Sequence, residues 1–331
     1  SFNHRILVFF AVDLYHAMMT TKLNGSDTQF LPFDQGSNGA GNDGGAGNPP
    51  AEEGKYVVSY LWEKIWQKDK LLDILQKFIS YQQKKKNTRG TDPCNTVIFP
   101  RYHQMDVVKK LVGSVMEDGP GRNYLIQHSA GSGKSNSIAW TAYRLASLHK
   151  DNKPMFNSVI IVTDRKVLDS QLQATIGGFD HTLGSVVLID ERKRSRDLLK
   201  AIEDGKRIIV TTLQKFPVIY GMIGDTTGKN FAVIVDEAHS SQTGKSAMRL
   251  KTGLADTTDA IEELKEFAGV DVDDDLKTER QKQLARRIMA YASRMLKEED
   301  AVEAQEDRTI VEMVSAGKHK NLSFFAFTAT P

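Results

Sequence analysis

The sequence predicts an α/β domain in which a mainly parallel sheet is flanked by helices, with an N-terminal extension and a helical insertion. Three observations lead there. Short apolar runs of strand length recur near residues 124, 159, 186, 208, 232 and 324, and stretches with apolar residues at helical spacing lie between several of them. One run, beginning at Tyr124, ends in a glycine-rich turn; another, Phe231 to Val235, ends in an acidic one. Strands that alternate with helices form parallel sheets, and ligands gather outside the carboxyl ends of such strands.

In chain order, residues 1–90 read as an extension. The first residues are apolar, but Asp13 and His16 interrupt them too soon for a membrane span, and no secretory signal is evident. Gly36 to Pro50 (GSNGAGNDGGAGNPP) is a flexible connector with no side chains to offset its backbone entropy. It spells G-x-G-x-x-G at Gly39 to Gly44, yet no strand precedes those letters and prolines follow where a dinucleotide site needs a helix. Trp62, Ile65, Trp66, Leu72, Leu75 and Phe78 lie at near-helical spacing, which predicts one helix over about 60–80 with its aromatics in a packed core.

Residues 91–331 form the main domain. Phe99-Pro100-Arg101-Tyr102-His103-Gln104 leads into an amphipathic helix bearing Val108, Leu111, Val112 and Val115. After Tyr124 to His128 come the glycine loop and a helix marked by Ile138, Ala142, Leu145 and Ala146. The apolar runs at Ser158 to Val162 and Arg207 to Val210 end in Thr163-Asp164-Arg165-Lys166 and Thr211-Thr212-Leu213-Gln214-Lys215. Between the last two strands, about 244–320 turns polar and helical and reads as an insertion, Asp271 to Asp275 within it.

The chemistry sits on two turns. In His128-Ser129-Ala130-Gly131-Ser132-Gly133-Lys134-Ser135, glycines let backbone N–H groups turn around phosphate oxygens while a helix starting near Lys134 aims its positive end at the same anion. Lys134 would reach the β and γ phosphates, and the Ser135 hydroxyl would ligate Mg²⁺. His128 stands where the usual pattern has its first glycine. About a hundred residues later, Asp236 is placed to hold the magnesium shell and Glu237 to orient and deprotonate water. These turns define a triphosphate-hydrolysing P-loop domain with Lys134, Asp236 and Glu237 as catalytic residues. His128, Gly131, Ser132, Gly133, Lys134 and Ser135 are its phosphate-side contacts, and Ser135 and Asp236 its metal ligands.

Bulk properties exclude little. The 331 residues carry 44 basic and 42 acidic side chains, a net charge of +2 that argues neither for nor against nucleic acid. The runs Arg192-Lys193-Arg194-Ser195-Arg196 and Lys84-Lys85-Lys86 could meet phosphate, though solvated faces explain them better. A single cysteine, Cys94, excludes internal disulfides and suits a reducing cytoplasm. Glu263-Leu264-Lys265 matches a nuclease Glu-x-Lys by letter but lies in an acidic helical stretch with no β-rich run before it.

Asp236-Glu237-Ala238-His239, with Thr328-Ala329-Thr330-Pro331 after the apolar run Leu322 to Phe327, resembles the RecA-like motor core of superfamily 2 helicases and translocases. The resemblance implies that His239, Thr328 and Thr330 couple nucleotide state to a nucleic-acid groove. It also implies that Gln104 reads the adenine edge of ATP, with Arg101 and Tyr102 beside it. The strand-end clusters would then line a DNA track through Arg165, Lys166, Thr212, Gln214 and Lys215, groups suited to phosphate-backbone contact.

The wording between motifs is closer still. NYLIQHSAGSGKSNSIAW from Asn123, RYHQMDV from Arg101, TTLQKF from Thr211, DEAHSSQT from Asp236 and AVDLYHAMMTTKLNGSDTQFLPFDQ from Ala11 resemble the restriction (R) subunit of type I restriction and modification enzymes, where a histidine commonly precedes the glycine loop. That resemblance implies an ATP- and Mg²⁺-dependent translocase on double-stranded DNA, in the cytoplasm, partnered by methyltransferase (modification) and specificity subunits. It further implies an upstream nuclease core and a downstream second RecA-like domain supplying an arginine finger, so this chain is expected to be a piece of a longer polypeptide that binds ATP and hydrolyses it slowly by itself. Two rival readings stay open: an RNA helicase with the same Asp-Glu-Ala-His core, and an ATP-gated docking module that never moves along nucleic acid.

Overall fold

A computed structural model describes residues 6–36, 47–83, 95–129, 131–163, 175–176, 186–189, 193, 195–212, 228–236 and 321–329. The chain opens with an antiparallel meander, β1 (Phe9–Val12), β2 (Ala17–Thr20) and β3 (Leu31–Pro32). A single π-helical turn at Leu61–Ile65 and helix α1 (Lys68–Lys77) follow. Strand β4 (Ser80–Gln83) then pairs antiparallel with β5 (Asn95–Ile98), so the expected boundary near residue 90 falls between two paired strands. Helix α2 (Tyr102–Asp118), strand β6 (Tyr124–His128) and helix α3 (Lys134–Ala146) come next. A small hairpin, β7 (His149–Lys150) and β8 (Lys153–Pro154), leads to β9 (Ser158–Thr163) and β10 (Val186–Ile189). The described elements end with α4 (Ser195–Glu203), β11 (Ile208–Thr212), β12 (Phe231–Asp236) and β13 (Leu322–Ala329).

All six apolar runs singled out in the sequence join one sheet, in the order β10-β11-β9-β12-β13-β6, and every neighbouring pair is parallel. This is a RecA-like α/β arrangement. Central strands read as continuous apolar runs because both faces are covered. Ser158 to Thr163 are all buried, and so are Phe231 to Val235. At the edge, β6 alternates instead: Ile126 and His128 are buried, while Leu125 is 73% exposed.

One sheet face packs on α3 and α2. Ile138, Ala139, Trp140, Ala142 and Leu145 of α3 are wholly buried, and α2 adds Met105, Val108, Leu111 and Val115. The other face carries Ile160, Val162, Phe231, Val233 and Phe324 against Leu198, Ala201 and Ile202 of α4. The extension shares the first core. Phe10 meets Phe33 and Phe99 edge-on at centroid distances of 5.1 and 6.0 Å, and the Tyr60 hydroxyl donates to Phe33 O at 2.9 Å. Trp140 Nε1 donates to Phe78 O at 2.8 Å, tying α3 to the end of α1. Asp34 holds the meander together by accepting from Ala17 N (2.8 Å) and Asn48 Nδ2 (2.9 Å) and pairing with His16 Nδ1 at 2.8 Å.

The expected single helix over 60–80 is two pieces. Gln67 is extended, with ψ 139, and separates the π turn from α1. The residues that face the core are Tyr60, Leu61, Ile65, Ile74 and Phe78, whereas Trp62, Trp66, Leu72 and Leu75 are each about two-fifths exposed. Changing helical phase at Gln67 splits one apolar stripe into two that point differently, so Trp62 and Trp66 are not the packed core their spacing predicts. The base of the glycine-rich connector is pinned by Gly36 N donating to Gly47 O at 2.7 Å and Gln35 N to Asn48 Oδ1 at 2.8 Å. Its decoy letters, Glu263-Leu264-Lys265 and the expected insertion over 244–320 lie outside the described residues. No described helix is long and apolar enough to cross a membrane.

Candidate nucleotide site

Strand β6 ends at His128, and α3 begins six residues later at Lys134. The turn between them depends on left-handed glycines: Gly131 has φ 73, and Gly133, the residue capping α3, has φ 80 and ψ 38. That region costs an L-residue with a side chain about 1–2 kcal/mol, so glycine is the residue that lets the chain turn here. The positive end of α3 therefore opens onto the loop, where backbone N–H groups without a partner in the helix favour an anion.

The loop is held from outside by the segment that starts α2. Arg101 Nη2 donates to Gly131 O at 3.4 Å, His103 Nε2 donates to Ser132 O at 3.0 Å, and Gln104 Nε2 donates to Ser132 O at 3.1 Å and Gly133 O at 3.0 Å. Gln104 Oε1 in turn accepts Arg101 N–H at 2.9 Å, a single side-chain bond at the head of α2. Three successive carbonyls of the loop are thus drawn outward. In a trans peptide the C=O and N–H point in opposite directions, so the amides of Gly133 and Lys134 are turned the other way, toward the mouth of the loop. A cradle of this kind fits a phosphate chain.

Lys134 Nζ lies 3.1 Å from Asp236 Oδ1, joining the glycine loop to the end of β12. Both side chains are mostly buried, which strengthens their attraction and fixes the geometry. Ser135 stands next to Lys134 in the first turn of α3. A hydroxyl and one carboxylate beside a phosphate cradle are the donors magnesium takes in triphosphate sites, where phosphates and water complete the shell. Among the described residues no cluster of three or more His, Cys, Asp or Glu forms a cation cage. The hydroxyl of Ser135 and the carboxylate of Asp236 are compatible with a magnesium ion.

His128 occupies the position of the missing glycine and is buried, 5% exposed. Its Nδ1 is hydrogen-bonded to the Ser132 hydroxyl at 2.9 Å, and its ring packs against His103 (5.8 Å) and Phe327 (5.9 Å). Burial, with His103 and Lys134 adding like charge, pushes its pKa down to about 4. Burial likewise lowers His103, against the pull of the Ser132 carbonyl. Two neutral imidazoles thus brace the loop from behind.

The structure brings together most of the residues expected to meet the nucleotide: Arg101, Gln104, His128, Gly131, Ser132, Gly133, Lys134, Ser135 and Asp236 share one edge of the sheet. Tyr102 does not join them. Its ring faces Phe33 and Tyr60, and its hydroxyl donates to Gln35 Oε1 at 3.2 Å, which ties the extension to α2. Thr212 ends β11 and Thr328 is buried on β13, opposite Gln127 of β6. Glu237, His239, Arg165, Lys166, Gln214, Lys215 and Thr330 lie outside the described residues. Two participants escaped the sequence reading, His103 and Phe327. His103 carried one signal, its place directly before Gln104 in the first turn of a helix; Phe327 looked like any core aromatic.

Comparison with known proteins agrees with this geometry. The SWI2/SNF2 ATPase family model matches residues 103–324. A type I restriction enzyme HindI endonuclease subunit of Haemophilus influenzae is 28% identical over 191 residues, 56% of this chain and 17% of the relative. A provisionally named type I restriction enzyme MjaIXP endonuclease subunit of Methanocaldococcus jannaschii is 28% identical over 208 residues, covering 57% and 17%. The C-terminal part of a provisionally named MpnIIP endonuclease subunit of Mycoplasma pneumoniae is 30% identical over 161 residues, covering 44% of this chain and 73% of that protein. The chain spans 17% of the length of each of the first two relatives.

Proposed function

Since the chain belongs to the SWI2/SNF2 ATPase family and, within it, to the endonuclease subunits of type I restriction enzymes, we propose that it forms the first RecA-like half of an ATP-driven motor that translocates double-stranded DNA. The observation that supports this most is the Lys134–Asp236 pair, 3.1 Å apart across the mouth of a carbonyl-clamped glycine loop. A triphosphate and its cation would draw these two paired charges apart, the lysine toward phosphate and the carboxylate toward the metal.

In that reading the Gly133 and Lys134 amides cradle the β and γ phosphates, and Lys134 moves from Asp236 to the γ phosphate. Ser135 and Asp236 would hold the magnesium ion, which when bound neutralises charge on the phosphate oxygens. Glu237, next in the chain, orients the attacking water for in-line displacement and takes its proton. Arg165, Lys166, Thr212, Gln214 and Lys215 follow the DNA backbone, while His239, Thr328 and Thr330 relay nucleotide state to them. Cleavage by the whole enzyme would use modification and specificity subunits in the cytoplasm, the latter choosing the DNA site.

The test uses the full-length subunit with its partners. Duplex DNA should stimulate ATP hydrolysis more than RNA does, and Glu237→Gln should abolish hydrolysis, translocation and restriction together while ATP still binds. Preference for RNA would turn the assignment to an RNA helicase. Translocation that persists without hydrolysis would end the motor reading.

A further inference from the structure

The proposed motor needs a physical link between the phosphate loop and the Thr328-Ala329-Thr330 segment, and the contacts around His128 form one. His128 sits at the end of β6, in register with Ala329 of β13. On one side its Nδ1 is hydrogen-bonded to the Ser132 hydroxyl, in the middle of the glycine loop. On the other its ring lies 5.9 Å from Phe327, tilted by 32°. Phe327 is wholly buried and immediately precedes Thr328. Its backbone is in register with Asp236 of β12 on one flank and with Ile126 of β6 on the other. One side chain therefore touches the loop that would hold phosphate and the strand flanked by the acidic turn.

A glycine in position 128 could make neither contact. The imidazole also fills space that would otherwise be a void behind the loop, and closely packed side chains transmit small displacements. Ser132 is 6% exposed, and its carbonyl is fixed by His103 and Gln104, so its hydroxyl is the part of this residue left to respond when the neighbouring amides close on an anion. We infer that His128 is a positioning residue that couples occupancy of the phosphate loop to the Phe327–Thr328 stretch of β13, through the Ser132 hydrogen bond and the Phe327 ring contact. The inference rests on the ATP-driven reading of the site and adds to it a specific route.

The experiment uses the full-length subunit and three substitutions. His128→Phe keeps a ring against Phe327 and removes the hydrogen bond; Ser132→Ala removes the same bond from the other end; Ser132→Thr restores a hydroxyl. The first two should each lower DNA-stimulated kcat by about tenfold, within the usual range of coupling between two sites, and by a clearly larger factor than they weaken binding of a fluorescent ATP analogue. The double variant should be no worse than either single one, because both break one link. Ser132→Thr should recover most of the turnover. Amide hydrogen exchange over residues 322–329 should change when the analogue binds the native protein and stay unchanged in His128→Phe. Affinity losses that match the turnover losses, single effects that multiply in the double variant, or an exchange response that survives in His128→Phe would each overturn the coupling. Ser132→Ala deletes a single hydroxyl and carries the test should His128→Phe not fold. A native subunit that shows no DNA-stimulated hydrolysis would remove the motor reading itself, and the coupling with it, before any variant is compared.

Discussion

Gly133→Ala tests whether the glycine loop is shaped by its clamp or only by its own backbone. Gly133 has φ 80, and an added Cβ would run into Gln104 Nε2 well inside van der Waals contact, with Asn136 Nδ2 at 3.9 Å. The left-handed conformation costs alanine about 1–2 kcal/mol, offset by about 0.4–1 kcal/mol from a stiffer unfolded chain. Gln104 must also give way. It is 2% exposed and holds two loop carbonyls and the Arg101 amide. Losing two of those bonds at about 1 kcal/mol each brings the expected destabilisation to roughly 2–4 kcal/mol. Gly131→Ala is the control, because φ is 73 there but nothing lies within 4 Å of the new Cβ, so only about 1 kcal/mol of strain remains. Urea unfolding followed by tryptophan fluorescence measures both. In a Gln104→Ala background the obstacle is gone, and Gly133→Ala should fall to roughly the Gly131→Ala cost. Equal costs for the two glycines, or an undiminished Gly133 penalty without the glutamine, would refute the argument.

Three other outcomes follow from the same contacts. Lys134→Ala should weaken binding of an ATP analogue by at least about a hundredfold, read by fluorescence titration, since it removes the ammonium proposed to meet the γ phosphate. His128 is depressed to about 4 in the folded protein, so the unfolded chain takes up that proton first. Its contribution is complete above pH 6.5 and is lost as pH falls toward 4, by at most about 3 kcal/mol. Urea titrations across that range should show the slope shrink in His128→Asn, with lowered His103 keeping part of it and raised His16 acting in the opposite direction, its stabilisation fading as pH rises. Trp140→Phe should cost about 1–3 kcal/mol in the same assay, because it strips the Phe78 carbonyl of its buried donor at the joint between α1 and α3.

The sheet was legible because each strand is an apolar run whose neighbours in sequence are polar. Val159 to Val162 and Phe231 to Val235 state their burial on both faces without help from anything distant. The phosphate turn was legible for a related reason: left-handed glycines, a lysine and a helix start are local requirements, met within eight residues. What sequence could not show depends on partners far along the chain. Trp62 and Trp66 share the spacing of Leu61 and Ile65, and only the break at Gln67 and the position of the Phe10–Phe33–Phe99 cluster decide which of them turns inward. Tyr102 reads as a base-side aromatic until the meander, some seventy residues earlier, offers Gln35 and Phe33 to it. His103 shows in sequence only its place before Gln104 for the same reason, since its partner Ser132 lies 29 residues away.

The proposed reading of adenine by Gln104 has to be compatible with its clamp on the loop. Its Nε2 hydrogens are both committed to loop carbonyls, so the amide has no donor to offer a nucleotide while the clamp is closed. Oε1 accepts one bond, from Arg101 N–H, and an amide oxygen has two lone pairs. What Gln104 can still give a base is therefore an acceptor. Adenine presents an exocyclic amine at its sixth position, where guanine and hypoxanthine present a carbonyl, so an acceptor favours ATP and leaves two oxygens facing each other with GTP or ITP. A single neutral hydrogen bond against an unpaired acceptor corresponds to about 1–3 kcal/mol, or roughly five- to a hundredfold in affinity. Competition titrations of ATP against ITP and GTP should show that preference in the native protein, and Gln104→Ala should erase it while also loosening the loop, seen as weaker binding of all three. A preference that survives Gln104→Ala would assign base selection to another group and leave Gln104 with the clamp alone.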